Sequence, residues 1–425
     1  MKRLMLKENV AYNKTVHELA AELGLSSDNL RMELEAANEY LSERLSVSNV
    51  MDVRRDRFSF NGVAGLFSVS QELEIEVVPK FMSGREAWRS DFLLLLAGTK
   101  WGGKAEQRLV GVARTHDKAL NDVLAEVFLV MFDDAKHIPI RTYRHQRVSR
   151  FEVEGDLLEE TVLLPGRDGF EQIVTDFSGA NVYNAVIRKA AYVLARSVHD
   201  FSIKARLANV LLTLGKQAPI RGKVPRTVPA RYGNWSKLYL LSLDILNGYG
   251  IDYLAPGDTY APGFVVRTSD AWEEFLRRAL VVGLRDCNVV YQRRYPFAKR
   301  DHSVVFVKPD YTIRSHDGRA LLVDAKYKYA DAGHATIANS DIYEGCAFMT
   351  ATGINRLILL YPYSEETTDL DCETFQTVAC DCGTITGVRV NPSPYATEDL
   401  KAFGNRLGSY LIPYFVESDA TPCAE

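Results

Sequence analysis

The chain has 425 residues, 47% of them hydrophobic and 25% charged, with 51 Lys and Arg against 55 Asp and Glu. This is the composition of a globular protein long enough for two or three domains, and it excludes a disordered, fibrous or disulfide-stapled chain. The net charge of −4 does not advertise nucleic-acid binding, so any such contact must come from local clusters of Lys and Arg.

The six cysteines form no disulfide framework in a chain this long. No apolar run approaches the ~20 residues that span a bilayer. The opening Met1-Lys2-Arg3-Leu4-Met5-Leu6 is followed at once by Lys7 and Glu8, not by the apolar stretch of a signal peptide. A reduced, cytoplasmic protein without membrane contact is expected. Cys372, Cys380 and Cys382 lack the paired spacing of a zinc site and read as strand cysteines.

Residues 14–45 carry helical periodicity: Val16, Leu19, Ala20 and Leu23, a break at Gly24-Leu25-Ser26, then Leu30, Leu34, Tyr40 and Leu41. The form is that of a helix-turn-helix. A base-reading helix is basic or amide-rich, whereas this second one carries Glu33, Glu35, Glu39 and Glu43 against Arg31 and Arg44. A small winged-helix-like module for protein contact or packing is expected over residues 1–58. Short strands follow at Arg57–Phe60, Gly65–Val69 and Leu73–Val78, then helices at Ser90–Ala97 and His116–Phe132. Gly98-Thr99-Lys100-Trp101-Gly102-Gly103-Lys104 has the letters of a phosphate-binding loop, but Ala105 stands where a Mg²⁺-binding Ser or Thr is required. It reads as a flexible glycine-rich loop, and no nucleotide hydrolysis is expected of this chain. Arg141, Arg144, Arg147 and Arg150 recur every third residue but lie in a strand-like stretch, so they alternate faces.

One or two long helices are expected over 178–215, a Pro-rich loop over Gln217–Gly233, a helix over Trp235–Asn247, and another capped by Asp270 that carries Glu273. Between Val186 and Lys237 there are eleven Lys or Arg against the single acid Asp200. Arg221, Lys223 and Arg226 lie in the loop of this stretch, and a second basic run, Arg293, Arg294, Lys299 and Arg300, follows. Both runs precede the acidic motif described next and are candidates for DNA contact, together with Lys328.

Lys308-Pro309-Asp310 is followed, after thirteen intervening residues, by Asp324-Ala325-Lys326. Tyr311–Ser315 and Leu321–Lys326 read as strands joined by the turn His316-Asp317-Gly318. Alternation puts Asp324 and Lys326 on one face, so two carboxylates and an ammonium converge at one end of a hairpin. Mg²⁺ is usually held by one or two carboxylates plus phosphate and water, and it activates water and stabilises phosphate charge. Asp-x-Lys is very common, and alone it describes an ordinary surface hairpin with solvated charges. The Pro-Asp, the hairpin spacing and the apolar run Ala320-Leu321-Leu322-Val323 favour the site. A helix capped by Ser340 or Asp341 and ended by Gly353, then a buried strand over Asn355–Tyr361, complete the order hairpin, helix, strand.

That order is the core of the PD-(D/E)xK nuclease superfamily. Val323-Asp324-Ala325-Lys326-Tyr327-Lys328 with Asp341-Ile342-Tyr343-Glu344 resembles the McrC family, the nuclease subunit of McrBC modification-dependent restriction systems. Trp272-Glu273-Glu274-Phe275-Leu276 is similar to that family's aromatic-Glu helix, and Gln292 to its strand glutamine. Gly65-Leu66-Phe67, Leu73–Lys80, Gly155–Thr161 and Asn181–Lys189 are similar to its N-terminal half, so the resemblance covers most of residues 60–365. Glu344 stands where the family has glutamine, and it is either a further metal ligand or a tuning contact.

The resemblance implies an α+β multidomain chain. Its N-terminal mixed β/helical interaction region has a helix-turn-helix-like start, and its C-terminal α/β domain is restriction-endonuclease-like. The expected divisions are 1–58, a β-rich partner-binding domain over 59–174, and a helical segment plus nuclease domain over 175–425 with its core at 262–365. Residues after about 365 match poorly, and those from Ser418 are expected to be disordered. The implied activity is Mg²⁺-dependent DNA cleavage, with Mn²⁺ as substitute, under an McrB-like AAA+ GTPase oligomer. Asp310 and Asp324 would bind metal, Lys326 would position water, and Glu273 would bind or orient at the site. Gln292, Tyr343 and Glu344 would assist. The rival readings are a stand-alone repair or recombination nuclease and a non-enzymatic helix-turn-helix DNA-binding protein.

Overall fold

The computed structural model describes residues 2–54, 56–69, 73–82, 88, 89, 92, 120–163, 165–217, 219, 220, 224–248, 264–301, 303–328, 336–363, 372–392 and 400–417. They condense into two units, Asn121–Ala261 on its own and Met1–Leu120 together with Pro262–Glu425. The phosphate-loop-like letters, most of Ser90–Ala97, and the residues from Ser418 lie outside the described residues.

In the larger unit Thr15 starts the first helix, Val16–Leu23, through a capping box with Glu18, and Gly24 ends it in the left-handed region (φ +69°). The second helix, Ser27–Leu45, is capped by Ser26. A hairpin of β2 (Met51–Arg54) and β3 (Arg57–Phe60) follows. These elements do not form the separate module expected over 1–58. β1 (Lys2–Lys7) pairs in parallel with β5 (Leu73–Val78), Leu4 opposite Ile75. The sheet continues through β4 (Val63–Ser68) to β9 (Phe264–Arg267). Leu4, Leu19, Leu34 and Phe58 thus share one core with Phe67, Val77 and Val265. Such long-range pairing leaves no local periodicity to read.

The same unit contains the second sheet, ordered β10 (Cys287–Tyr291), β13 (Tyr311–Ser315), β14 (Arg319–Ala325), β15 (Arg356–Pro362), β17 (Gly383–Val390) and β16 (Cys372–Cys380), with β18 (Val416–Glu417) pairing β14. β13 and β14 form the expected hairpin, Tyr311 opposite Val323, and Gly318 takes φ +87° in its turn. β14, β15 and β17 run parallel. Ala320 and Leu322 point into a core with Phe348, Leu357, Leu359 and Ile385, against the helix Asn339–Thr352. The alternate residues Leu321 and Val323 take the opposite face. β16, β17 and the helix Leu400–Leu411 extend the domain well past residue 365.

The helices Thr268–Gly283 and Leu400–Leu411 meet through Phe275 and Phe403, ring centroids 5.1 Å apart, and through glycine. A Cβ on Gly283 would lie 1.8 Å from the Gly404 carbonyl oxygen. Backbone cannot yield as a side chain does, so Gly283→Ala should lower stability by about 3 kcal/mol. A clear fall in the thermal melting midpoint checks this.

The smaller unit is built on the helices Leu120–Ala135, Val182–Ser197, Phe201–Leu214 and Ser236–Gly248. The break between the middle two is set by Asp200, whose carboxylate accepts from the Ser202 and Ile203 amides at 2.8 and 3.2 Å. Trp235 is buried against Phe132 and donates its indole N–H to the Ile138 carbonyl at 2.6 Å. From this core extends a ribbon of β6 (Thr142–Arg150) and β8 (Phe170–Ser178), edged by β7 (Asp156–Leu157). Arg141 precedes β6, and Arg144, Arg147 and Arg150 alternate faces along it as expected. Arg147 and Arg150 are ion-paired, with Glu171 and Glu154. The smaller unit crosses the expected boundary at 174/175, because β8 spans it and pairs back onto β6.

Candidate active site

Pro309 leads into β13, and Asp310 stands one residue before it, next to the end of β14. Its Oδ2 accepts from the Ala325 amide at 2.9 Å, while its own amide faces Asp324 Oδ1 at 3.4 Å. Asp324 is only 3% exposed. Lys326 Nζ lies 2.6 Å from Asp324 Oδ2 and 2.7 Å from Glu344 Oε2. The Lys326 ammonium is the charge partner of that buried Asp324 oxygen. The Lys326 amide donates to Leu360 O at 2.9 Å, which extends the β14–β15 ladder through the lysine and fixes where it points. The hairpin therefore brings Asp310, Asp324 and Lys326 together.

Glu273 arrives from the helix Thr268–Gly283. Trp272, Phe275 and Leu276 are buried, so the helix is locked by its apolar face. Its neighbour Glu274 turns to the surface and pairs with Arg277 and Arg278 at 2.6 and 3.1 Å. Glu273 Oε1 accepts from Tyr291 Oη at 2.7 Å and from Gln292 Nε2, while its carbonyl accepts from Tyr311 Oη. Gln292 Oε1 in turn accepts from Lys308 Nζ at 2.8 Å. Gln292 is held at φ +48°, sparsely populated for a side-chain-bearing residue, and its amide donates to Asp310 O at 2.8 Å. The strain pins the glutamine between Glu273 and Asp310. Lys308, Tyr291 and Tyr311 were not assigned roles from the sequence, because only the sheet register brings them to Glu273.

Burial pushes the Asp310 carboxyl up to about 8, with the neighbouring Asp324 and Glu273 carboxylates adding to it. Asp324 is also raised by burial, against the opposing pull of Lys326. Burial works against the Lys326 charge, but Asp324 and Glu344 outweigh it and hold the ammonium above its ordinary range. The crowded, buried carboxylates of Asp310 and Asp324 are the pair that could hold a divalent cation. Among the described residues no group of three or more His, Cys, Asp or Glu is disposed to enclose a metal.

The helix Asn339–Thr352 begins slightly earlier than expected, with Ala338 as N-cap and no side-chain cap bond. Asp341 is instead turned inward, 3% exposed, and binds Lys328 Nζ at 2.6 Å and Tyr361 Oη at 3.1 Å. Asp270 likewise lies inside the first turn of its helix and does not cap it. Lys328 is thus ion-paired within the fold, although half its side chain is exposed. Tyr343 is exposed. Glu344 reaches the site through its ion pair with Lys326.

Arg293, Arg294, Lys299 and Arg300 are exposed; the first two lead into, and the last two end, β11 (Tyr295–Arg300), which pairs with β12 (Ser303–Val307) in a ribbon adjoining Gln292 on one side and Lys308 on the other. Arg293 stacks over Tyr295 and Arg294 over Phe306, at 5.6 and 4.6 Å. Arg226 is exposed in the smaller unit. Arg221 and Lys223 lie outside the described residues. No described helix is long and apolar enough to cross a membrane.

No curated protein matches the sequence. The fold is similar to a chain of the Thermococcus gammatolerans assembly of McrB AAA+ hexamers with bound McrC, with a TM-score of 0.68 and 16% identity over 97% of this chain and 100% of that one. A chain of the Thermococcus gammatolerans McrBC complex gives a TM-score of 0.47 and 14% identity, over 67% of this chain and 88% of that one. The profile of the McrBC 5-methylcytosine restriction system component matches residues 58–362. With well over half its length matched, the chain belongs to the McrC family of McrBC restriction system components.

Proposed function

We propose that this chain is the Mg²⁺-dependent DNA endonuclease subunit of a McrBC-type restriction system, engaged by and stimulating an AAA+ GTPase motor. The observation that carries the reading is the convergence of Asp310, Asp324, Lys326 and Glu273 at one end of the β13–β14 hairpin. Asp310 and Asp324 would hold the ion, which when bound supplies Lewis acidity and lowers the pKa of a water. Lys326, clamped between Asp324 and Glu344, presents a fixed cation to the attacking water or to the phosphate. Glu273, held by Tyr291 and Gln292, keeps a carboxylate near Asp310 to orient water or support the ion. Gln292 and Lys308 hold Glu273 in place.

The partner follows from family membership and from the solved relative, whose assembly contains McrB AAA+ hexamers. Residues 59–174 would contact the motor, and within them the β6–β8 ribbon exposes Tyr143, stacked on Phe177 at 5.0 Å. Plasmid cleavage is the test, with Mg²⁺ or a chelator, and with or without GTP and the cognate GTPase. Cleavage that requires all components supports the proposal. Partner-independent cleavage supports a stand-alone nuclease, and DNA binding without cleavage under any condition overturns the enzymatic reading.

The β11–β12 ribbon supplies the DNA surface of the nuclease unit. Changing Arg293, Arg294, Lys299 and Arg300 to Gln should weaken duplex binding on all sequences alike. The salt dependence of log K should flatten by about 0.9 for each phosphate no longer neutralised. Fluorescence anisotropy across a salt series checks this, and an unchanged slope would remove the ribbon from the DNA interface.

A further inference from the structure

Glu8 follows β1, far in sequence from every catalytic candidate, yet its side chain reaches two of the segments that carry them. It is 1% exposed. Its Oε1 accepts from Thr268 Oγ1 at 2.8 Å, and its Oε2 accepts from Tyr327 Oη at 2.6 Å and from the Lys80 amide at 3.1 Å. Its own amide donates to Val78 O at 3.0 Å, so the carboxylate is anchored in the N-terminal sheet. Lys80 Nζ then donates to Tyr327 O at 3.0 Å and sits 4.0 Å over the Tyr327 ring.

Thr268 is the first residue of the helix that delivers Glu273, and that helix has no side-chain cap bond of its own. Tyr327 directly follows Lys326. One buried carboxylate therefore ties both the Glu273 helix and the Lys326 segment to β1 and β5. A buried carboxylate is a costly way to dock two elements, since apolar packing serves as well or better. Its advantage is directional: charge-assisted bonds are short and fix geometry.

We infer that Glu8 is a positioning residue for the nuclease centre, setting Glu273 and Lys326 in register through Thr268 and Tyr327. This rests on the nuclease reading above. A displacement of about 1 Å at a reacting group can cost 10²-fold in rate, so a bond one residue away from Lys326 is close enough to matter. It also gives the N-terminal sheet a mechanical connection to the catalytic groups.

The test uses the full chain with its GTPase partner, GTP, Mg²⁺ and plasmid DNA, and compares Glu8→Gln, Tyr327→Phe, the double variant and Arg3→Ala. Arg3 pairs with Glu74 at 2.6 Å in the same sheet and touches neither segment, so it reports N-terminal stability alone. For Glu8→Gln and for Tyr327→Phe, kcat should fall at least tenfold. KM for DNA should stay within about threefold, and the double variant should be no slower than the slower single one. Arg3→Ala should lose melting temperature but keep kcat within about twofold. Tyr327→Phe leaves the Thr268 and Lys80 bonds intact and stands as the folded variant if Glu8→Gln does not fold. Active wild type with both single variants near wild-type kcat, or additive losses in the double variant, would overturn the positioning role. An inactive wild type that also takes up no Mn²⁺ in a calorimetric titration would instead sink the nuclease reading on which it rests.

Discussion

Lys326→Ala is expected to abolish DNA cleavage, by about 10³-fold or more, and to destabilise the fold at the same time. The ammonium is the charge partner of the buried Asp324, and their side chains are 13% and 5% exposed. Removing one member of such a pair leaves an uncompensated buried charge, at a cost of about 3–5 kcal/mol. Part of that cost is relieved by protonation. Burial already raises the Asp324 carboxyl and Lys326 opposes the rise, so without the lysine the acid takes a proton at higher pH still. The stability deficit should therefore be larger at pH 8 than at pH 5, measured by thermal melting of both proteins at each pH. Lys326→Met, which keeps the aliphatic bulk, should recover some stability and no cleavage. Cleavage that survives Lys326→Ala would remove this lysine from the chemistry.

Asp310→Asn should separate activity from stability in opposite directions. The carboxyl is raised to about 8 from an ordinary value of 3.8 by burial and by Asp324 and Glu273. Below pH 4 it is protonated whether the chain is folded or unfolded, and it contributes no pH dependence. Between about 4 and 8 the folded form holds the proton more tightly than the unfolded form, so metal-free stability falls as pH rises. Asparagine resembles the protonated acid and keeps an acceptor for the Ala325 amide. At pH 8 the metal-free variant should be more stable than wild type, and the gain should vanish near pH 4. Millimolar Mg²⁺ should raise the wild-type melting point and leave the variant unmoved, since an ion that binds only the native state stabilises by mass action. Cleavage should be lost. A variant that melts at the wild-type temperature at pH 8 and still responds to Mg²⁺ would take Asp310 out of the metal site.

The hairpin that carries both aspartates was legible because its signals are local. An Asp-Gly turn, a left-handed glycine and alternating apolar residues specify β13, β14 and the side-chain faces between them. The helix stop at Gly353 and the buried strand after it were legible for the same reason. Helix starts were less so: Asp270 and Asp341 have the chemistry of caps, yet each lies inside its first turn, and the Asp341 side chain is bound by Lys328 and Tyr361. Beyond the strand cysteines of β16, the strand β17 and the helix Leu400–Leu411 carry no signal that places them, because they complete the domain after its motifs have ended.

What the sequence by itself determined is the set of groups proposed to do the chemistry, Asp310, Asp324, Lys326 and Glu273. Residue type and short spacing are enough to identify a carboxylate pair beside an ammonium. What only the tertiary structure decided is how those groups are held. Gln292 at φ +48° bridging Glu273 to Lys308, Tyr311 reaching the Glu273 carbonyl, and Glu8 bound to Thr268 and Tyr327 are contacts between segments far apart in the chain. The same holds for the N-terminal boundary, where β1 reads as the start of a small helical module until β5 is found beside it. Partners for a buried polar group are set by sheet register and packing, and these are properties of the whole fold that no local pattern encodes.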